Sequence, residues 1–182
     1  MKTLSFFAAK PPSLPPGTAL YRLDGKRRYD LTSAGPDFGA IGGMTYFADG
    51  PAAPAGAKFS FAVDDLLQFS RAGSGPGRGG VLRLLLIKRA DGITRPQFAR
   101  HWREIHAPLA IRNNPSFDHY ITNIVLDETS EWDGILEEWF ASEEVFDRHD
   151  QGLAEHKRAV GEDIPLFVKS VALSPQFLGR EI

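Results

Sequence analysis

The chain contains no cysteine. That excludes disulfides, thiolate nucleophiles and cysteine-ligated zinc or iron–sulfur centres at a stroke. It is also short of long apolar runs. Near the start the longest is Phe6 to Ala9, followed at once by Lys10-Pro11-Pro12, too short for the core of a signal peptide. Elsewhere no stretch approaches the roughly 18 apolar residues of a membrane-spanning helix, so a soluble, cytoplasmic protein is the expectation. Charge of one sign is lacking too: 21 Lys+Arg stand against 23 Asp+Glu in 182 residues, a net charge of −2. With pI about 6.2 there is no general attraction for phosphate backbones or anionic lipid, which argues against nucleic-acid and membrane partners. No Gly-x-Ser-x-Gly elbow supports a serine nucleophile.

What is present is unevenly distributed. Up to residue 80 the chain is rich in Gly, Pro and Ala; all five histidines and all three tryptophans come later. Gly73-Ser-Gly-Pro-Gly-Arg-Gly-Gly80 reads as the joint, because Gly and Pro at that density disfavour regular structure. It precedes a strand and lacks Gly-Lys-Ser/Thr, so it is no phosphate loop. The expected division is an N-terminal extension over 1–75, a linker over 76–80 and a domain over 81–182.

Val81 to Ile87 suits a strand buried on both faces, ending in a turn at Asp91-Gly92. Thr94-Arg-Pro-Gln97 is a capping box. Phe98, Trp102, Ile105 and Leu109 fall within about 60° at roughly 100° per residue, one buried helical stripe running to about Asn113. Strands are expected over Phe117 to Leu126, Gly134 to Phe140 and Val171 to Leu178, the last despite Pro175. Between the second and third of these lies a helix begun by Ser142-Glu143-Glu144, carrying Val145, Phe146 and Leu153 inward. The order βαββαβ folds as a four-stranded antiparallel sheet with both helices on one face, the ferredoxin-like α+β arrangement. Two strands are apolar on both sides, so the other face must meet a partner sheet or a ligand.

Several of these residues sit in a familiar pattern: Lys88-Arg89, then Phe98-Ala-Arg-His101-Trp102-Arg-Glu-Ile-His106-Ala-Pro-Leu109, Tyr120 with Asn123, and Asp133-Gly134-Ile-Leu-Glu137-Glu-Trp139-Phe140-Ala-Ser142. In them residues 81–182 resemble the EthD family of the dimeric α+β barrel superfamily. The resemblance implies two sheets packed face to face as a barrel, each with a small-molecule pocket. It also implies activity without metal or organic cofactor, as dehydratase, cyclase or other lyase-like enzyme on aromatic or polyketide-like compounds. Fold alone does not fix a reaction. A homodimer is the expected state, with a single-chain pseudo-dimer completed by residues 1–75 as the alternative.

The N-terminal half has two readings. Setting Phe61-Ala62 against Phe140-Ala141 and Lys2 to Ala9 against the first strand of the second half suggests a shrunken, degenerate repeat. Leu20 to Tyr29 instead reads as a β-hairpin turning at Asp24-Gly25, where a repeat calls for a helix, and makes the half an unrelated extension. Either supplies strands for the open face.

His106 leads the candidate chemistry. It lies at the edge of the stripe, and Pro108 cannot donate to the Glu104 carbonyl, so the turn holding His106 is loosened. One reading makes it a general acid or base, the other a structural histidine at a helix kink. Glu137 and Glu138 point to opposite faces of their strand, and burial would raise a carboxyl pKa toward the general acid–base range. The resemblance favours Glu137, which shares its face with Trp139; the plain alternative is a glutamate paired with Arg83 or Lys88. Tyr120 and Asn123 occupy opposite faces, so only one should see the pocket. Trp102, Tyr120, Trp139 and Phe140 form the expected aromatic pocket, with His101 beside it, while Asp133 shapes the turn before Gly134.

Metal binding is not expected. His101 and His106, five apart, diverge by about 140° on an α-helix, and His149 and His156 lie roughly 10 Å apart by rise. Arg22, Lys26, Arg27 and Arg28 read as a solvated hairpin rather than a nucleic-acid contact. Two functions remain open: a cofactor-free enzyme using His106, with Glu137 or Tyr120, on a carbonyl-bearing or aromatic substrate, and a non-catalytic protein that binds with the same pocket.

Overall fold

The structure is a computed structural model that describes residues 2–23, 46–71, 80–151, 154–169 and 176–181, without the side chains of 150–157 and 176–181. In chain order the elements are β1 (Lys2–Phe7), β2 (Ala19–Leu23), β3 (Tyr46–Gly50), β4 (Phe59–Ser70), β5 (Val81–Ile87), α1 (Arg95–His101), a π-helical turn (Trp102–His106) and α2 (Ala107–Asn113). There follow β6 (His119–Val125), β7 (Gly134–Phe140), α3 (Glu143–Gln151), α4 (Ala154–Asp163), a 3₁₀ turn (Ile164–Leu166) and β8 (Gln176–Glu181). The second half thus has the order βαββαβ. Its last strand is described over Gln176–Glu181, and residues 170–175, where the expected strand from Val171 begins, lie outside the described residues. Most of the Gly-rich joint, Leu153 and the turn at Asp24-Gly25 lie outside the described residues.

Among the described residues eight strands form one closed antiparallel barrel in the order β1-β3-β2-β8-β5-β7-β6-β4. A second copy is therefore not needed to close the barrel, as the single-chain pseudo-dimer alternative has it. Each half lays down its strands as fourth, first, third, second: β4-β1-β3-β2 and β8-β5-β7-β6. Both seams join a second strand to a fourth, β2 to β8 and β6 to β4. By this order β3 corresponds to β7. The suggested match of Phe61-Ala62 to Phe140-Ala141 is out of place, since it sets β4 against the end of β7; only the match of β1 to β5 survives.

Strand alternation divides the side chains of the second sheet between two cores. Leu82, Leu84, Leu86, Ile135 and Trp139 point into the barrel, where they meet Phe6, Tyr21, Phe47 and Phe61. Tyr21 sits edge-on to Trp139 at 5.3 Å between ring centroids. Val81, Ile87, Tyr120, Leu136 and Phe140 point outward beneath the helices, against Phe98, Trp102, Phe146 and Phe167. So the face left open by a single ferredoxin-like sheet is covered by the N-terminal strands. The N-terminal connections β1–β2 and β3–β4, residues 8–18 and 51–58, carry no helix. The outer side of that sheet has instead a small cluster of Phe7, Leu20 and Ala48, with Leu14 and Ala57 from the connections packed on it.

The capping box forms as expected: Gln97 N donates to Thr94 Oγ1 at 3.3 Å and Thr94 N to Gln97 Oε1 at 2.7 Å. The stripe does not. Phe98 and Trp102 are fully buried, but Ile105 is 52% exposed and His106 takes the inner position at 7%. The cause is the π turn, in which Ala107 N donates to Trp102 O, five residues back. Pro108 leaves the Glu104 carbonyl without its α-helical donor, and one extra residue enters the turn. That insertion rotates all later positions, swinging His106 inward and Ile105 out. Arg103, inside the turn, ties it to β4 through Asp64 Oδ2 at 2.7 Å and to β6 through Thr122 Oγ1 at 3.3 Å.

Asp133-Gly134 proves to be a docking point for this helix. A Cβ on Gly134 would lie 2.4 Å from Trp102 Cζ3, so only glycine lets Trp102 reach β7. Asp133 accepts from Arg89 Nη1 at 2.8 Å and from Arg95 Nε at 3.0 Å, pinning the end of β5 and the start of α1 together.

Candidate functional site

Between the helices and the outer face of the second sheet lies a cavity of about 370 Å³. Its floor comes from Arg83 and Leu85 on β5, Tyr120 on β6, and Leu136 and Glu138 on β7. Trp102, His106, Asn114, His149 and Phe167 close the sides. The strands supply alternate residues to this floor because the others point into the barrel.

His106 is held on two sides. Its Nδ1 lies 2.8 Å from Asp163 Oδ2, and its ring tilts against Phe167 at 4.7 Å. His101 Nε2 reaches the other oxygen of the same carboxylate at 2.9 Å. The two histidines were expected to diverge; the π turn brings both onto Asp163. A carboxylate only accepts, so neutral His106 carries its proton on Nδ1 and keeps a lone pair on Nε2. Burial pushes the His106 pKa below 6.5, with Asp163 working against it, which favours the neutral ring at pH 7. A held, neutral imidazole on a cavity is the arrangement a general base needs.

Tyr120 is fully buried and its hydroxyl accepts from Trp102 Nε1 at 3.4 Å. Burial and the nearby Glu138 push the phenol far above its usual range, so it remains a donor. Glu138 is paired with Arg83, which donates to Oε2. Burial still raises the Glu138 carboxyl above the ordinary value, against the pull of Arg83.

The expected site is split by the sheet. Trp102, His106 and Tyr120 line the cavity, and Phe140 stands behind it against Phe117 and His149 at 5.5 and 5.1 Å. His101 stays outside the lining and acts on Asp163. Glu137, Asn123 and Trp139 point into the barrel instead. Glu137 accepts from Lys2 Nζ at 2.7 Å and from Asn123 Nδ2 at 2.9 Å, so the backbone of the sheet separates it from His106. Alternation required Glu137 and Glu138 to part; which of them the helices cover is a tertiary outcome, and it is Glu138. The pairing foreseen with Arg83 belongs to Glu138, and Lys2 takes Glu137. Of Tyr120 and Asn123, Tyr120 alone meets the cavity.

Asp163 and Asn114 had no signal in the sequence. Asp163 is 57 residues from His106, and its only local mark is a helix end before Ile164-Pro165. Asn114 ends α2 and holds His149, whose Nδ1 is 2.6 Å from Asn114 Nδ2.

Residues 90–170 match the family model of the EthD domain. The match covers most of the second half of the chain and marks that stretch as similar to the EthD domain. Most of the sides of the cavity, with His106, Asp163 and Tyr120, fall inside the matched range. No curated protein matches the chain. Among solved structures, an ethyl tert-butyl ether D (EthD) family protein of Bacillus halodurans C-125 is 19% identical, covering 57% of this chain and 99% of its own at a TM-score of 0.44. A candidate monooxygenase of Lactobacillus acidophilus NCFM is 14% identical, covering 99% of this chain and 92% of its own at a TM-score of 0.52. A haem-degrading enzyme of Listeria monocytogenes is 11% identical, covering 99% of both chains at a TM-score of 0.49. The Lactobacillus structure shows that the likeness of fold extends over both halves.

Proposed function

We propose that this protein is a small-molecule enzyme that moves a proton within an aromatic or carbonyl-bearing substrate bound between the helices and the second sheet. The observation that carries the reading is the Asp163–His106 pair on a largely apolar cavity of about 370 Å³. His106 Nε2 takes a proton from a carbon beside a carbonyl, and the electron pair left behind spreads onto the carbonyl oxygen. Asp163 stabilises the imidazolium. The same proton is then delivered to another carbon, giving an isomer, or to a departing hydroxyl, which leaves as water and completes a dehydration. Tyr120 is a donor on the same cavity for the oxygen that gains charge. This step requires no metal or organic cofactor. One chain supplies every group named, so we propose a site complete in a single barrel. The Lactobacillus and Listeria neighbours are named for monooxygenase and haem-degrading activity, but likeness at 14% and 11% identity carries no chemistry across, and the reading rests on the side chains.

We further infer that residues 2–70 are a degenerate ferredoxin-like repeat, supported by the shared strand order and the two equivalent seams. With no helix on its β1–β2 and β3–β4 connections, this half forms no counterpart of the cavity from those two segments.

The test is exchange of the α-protons of a hydroxyaryl ketone in deuterium oxide. Wild type should accelerate it, with the rate rising with pH through the depressed His106 pKa and levelling above 6.5, where the ring is neutral. His106→Asn should lower the enzymatic rate by about 10²–10⁴-fold with the melting temperature little changed. Equal exchange in a folded His106→Asn variant sinks the assignment. Binding of the ketone without exchange selects the carrier reading.

A further inference from the structure

The cavity floor carries a row of polar side chains of which the proton transfer uses only one end. Arg83 on β5 stands directly across from Glu138 on β7, and Glu138 directly across from Tyr120 on β6. All three line the cavity. Arg83 is steadied by the rings of Phe146 and Phe140, whose centroids lie 5.7 and 6.0 Å from its guanidinium carbon. It meets Glu138 on one side only, since Nε and Nη2 both fall on Oε2. Tyr120 is turned to Trp102 Nε1 at 3.4 Å. Among the described residues no donor reaches Glu138 Oε1, and with Glu138 3% exposed little bulk water reaches it either. A buried carboxylate oxygen requires a donor, and the side from which one can arrive is the cavity.

We infer that Glu138 is a specificity-determining residue whose Oε1 accepts a hydrogen bond from a hydroxyl group of the ligand. The ligand class follows from the surroundings. Arg83 already balances the charge of Glu138, so the group that meets Oε1 is a neutral donor rather than a cation. Leu85, Leu136 and Phe117 offer apolar lining, which suits an aromatic ring. The ligand is therefore a neutral hydroxylated aromatic, a phenol above all, because its O–H makes a charge-assisted bond to a carboxylate. Burial favours the acid form of Glu138 and Arg83 opposes it; a ligand hydroxyl on Oε1 adds to the pull toward the carboxylate. The inference deepens the proposed function and rests on it only for the place where the ligand binds.

Two probes test it on the intact chain: acetylbiphenyl and hydroxyacetylbiphenyl, which adds one phenolic hydroxyl, with binding followed by quenching of tryptophan fluorescence. Wild type should prefer the phenol. In Glu138→Gln, Arg83 can only donate, so it takes the amide oxygen and turns the NH₂ toward the cavity; an acceptor becomes a donor at nearly constant shape. The preference for the phenol should then fall by about tenfold or more. Because breaking a buried pair is costly, the second variant combines Arg83→Met with Glu138→Met, which removes both charges at similar volume. It should lose the same preference. An unchanged preference in either folded variant overturns the inference, as does a wild type that binds neither probe or favours the plain ketone. Should neither variant fold, the carboxyl carbon resonance of Glu138 in wild type decides: it should shift more with the phenol than with the plain ketone, and an equal response overturns the inference. Failure of the exchange test at His106 leaves these binding preferences as expected, whereas an unchanged preference beside normal exchange in wild type removes this inference alone.

Discussion

The two faces of the second sheet are built from the same three central strands, yet they do different work. Toward the barrel, Leu82, Leu84, Ile135 and Trp139 close against Phe6 and Phe47, and the one deeply buried acid there, Glu137, is matched by Lys2. Toward the helices, Leu85, Leu136 and Tyr120 face a cavity, where Asp163 holds His106 and Arg83 holds Glu138. The lesson is that coverage by a second sheet fills a face, whereas coverage by helices on long connections leaves room. A helix with a π turn leaves the room lined by a histidine. The N-terminal half carries the comparison further: it has the same strand order without helices on its β1–β2 and β3–β4 connections.

The most severe way to break the comparison is to remove the barrel partner. Deleting residues 1–70 exposes the aromatic and leucine face of the second sheet, and the fragment should aggregate or lose its fold. Circular dichroism and size-exclusion chromatography check this. A soluble, folded fragment that still binds acetylbiphenyl would show that the barrel face needs no cover.

Next in size are substitutions that load one face only. Gly134→Ala places a methyl group 2.4 Å from Trp102, and the overpacking should cost about 1–3 kcal/mol in a denaturant melt. Glu137→Gln removes one partner of Lys2, whose side chain is 14% exposed and keeps Asp49 at 3.0 Å. It should cost about 1–3 kcal/mol, short of a fully orphaned charge, and leave acetylbiphenyl affinity unchanged. Weaker binding in Glu137→Gln would erase the division of labour between the faces.

The smallest effect is in the pH dependence of stability, where two histidines and an aspartate pull in opposite directions. On the cavity face, His106 has a depressed pKa, so the unfolded chain binds more protons and stability rises with pH up to about 6.5. His119, buried in the barrel without a hydrogen-bond partner, has a depressed pKa and adds in the same sense. At the barrel mouth, burial and the charge of Glu137 raise Asp49 from 3.8 to about 6, with Lys2 opposing. There the folded chain binds more protons, so stability falls as pH rises across that interval. Asp49→Asn should therefore steepen the rise of melting temperature between pH 4 and 6, and His106→Asn should flatten it. The same slope in both variants would show that neither group is perturbed as described.

Much of the second half was legible because its signals are local. The alternation of β5, the Thr94–Gln97 box and the order βαββαβ each depend on neighbours a few residues apart. Pro108 even announced the loosened turn. What the sequence left dark was consequence at a distance. A single extra residue in that turn decides whether Ile105 or His106 faces inward, and it brings His101 and His106 together on Asp163 against the geometry of a regular helix. Strand alternation separated Glu137 from Glu138 without naming the side that the helices take. The N-terminal sheet was hardest, since connections without helices remove the pattern by which a repeat is recognised.

The central claim is that the site lies on the helix face and the barrel interior is structural. A crystal structure with a bound hydroxyaryl ketone tests it most directly. The ligand should occupy the cavity under the helices, with an exchangeable hydrogen-bearing atom about 3 Å from His106 Nε2. A ligand seated inside the barrel, against Glu137 and Lys2, would contradict it.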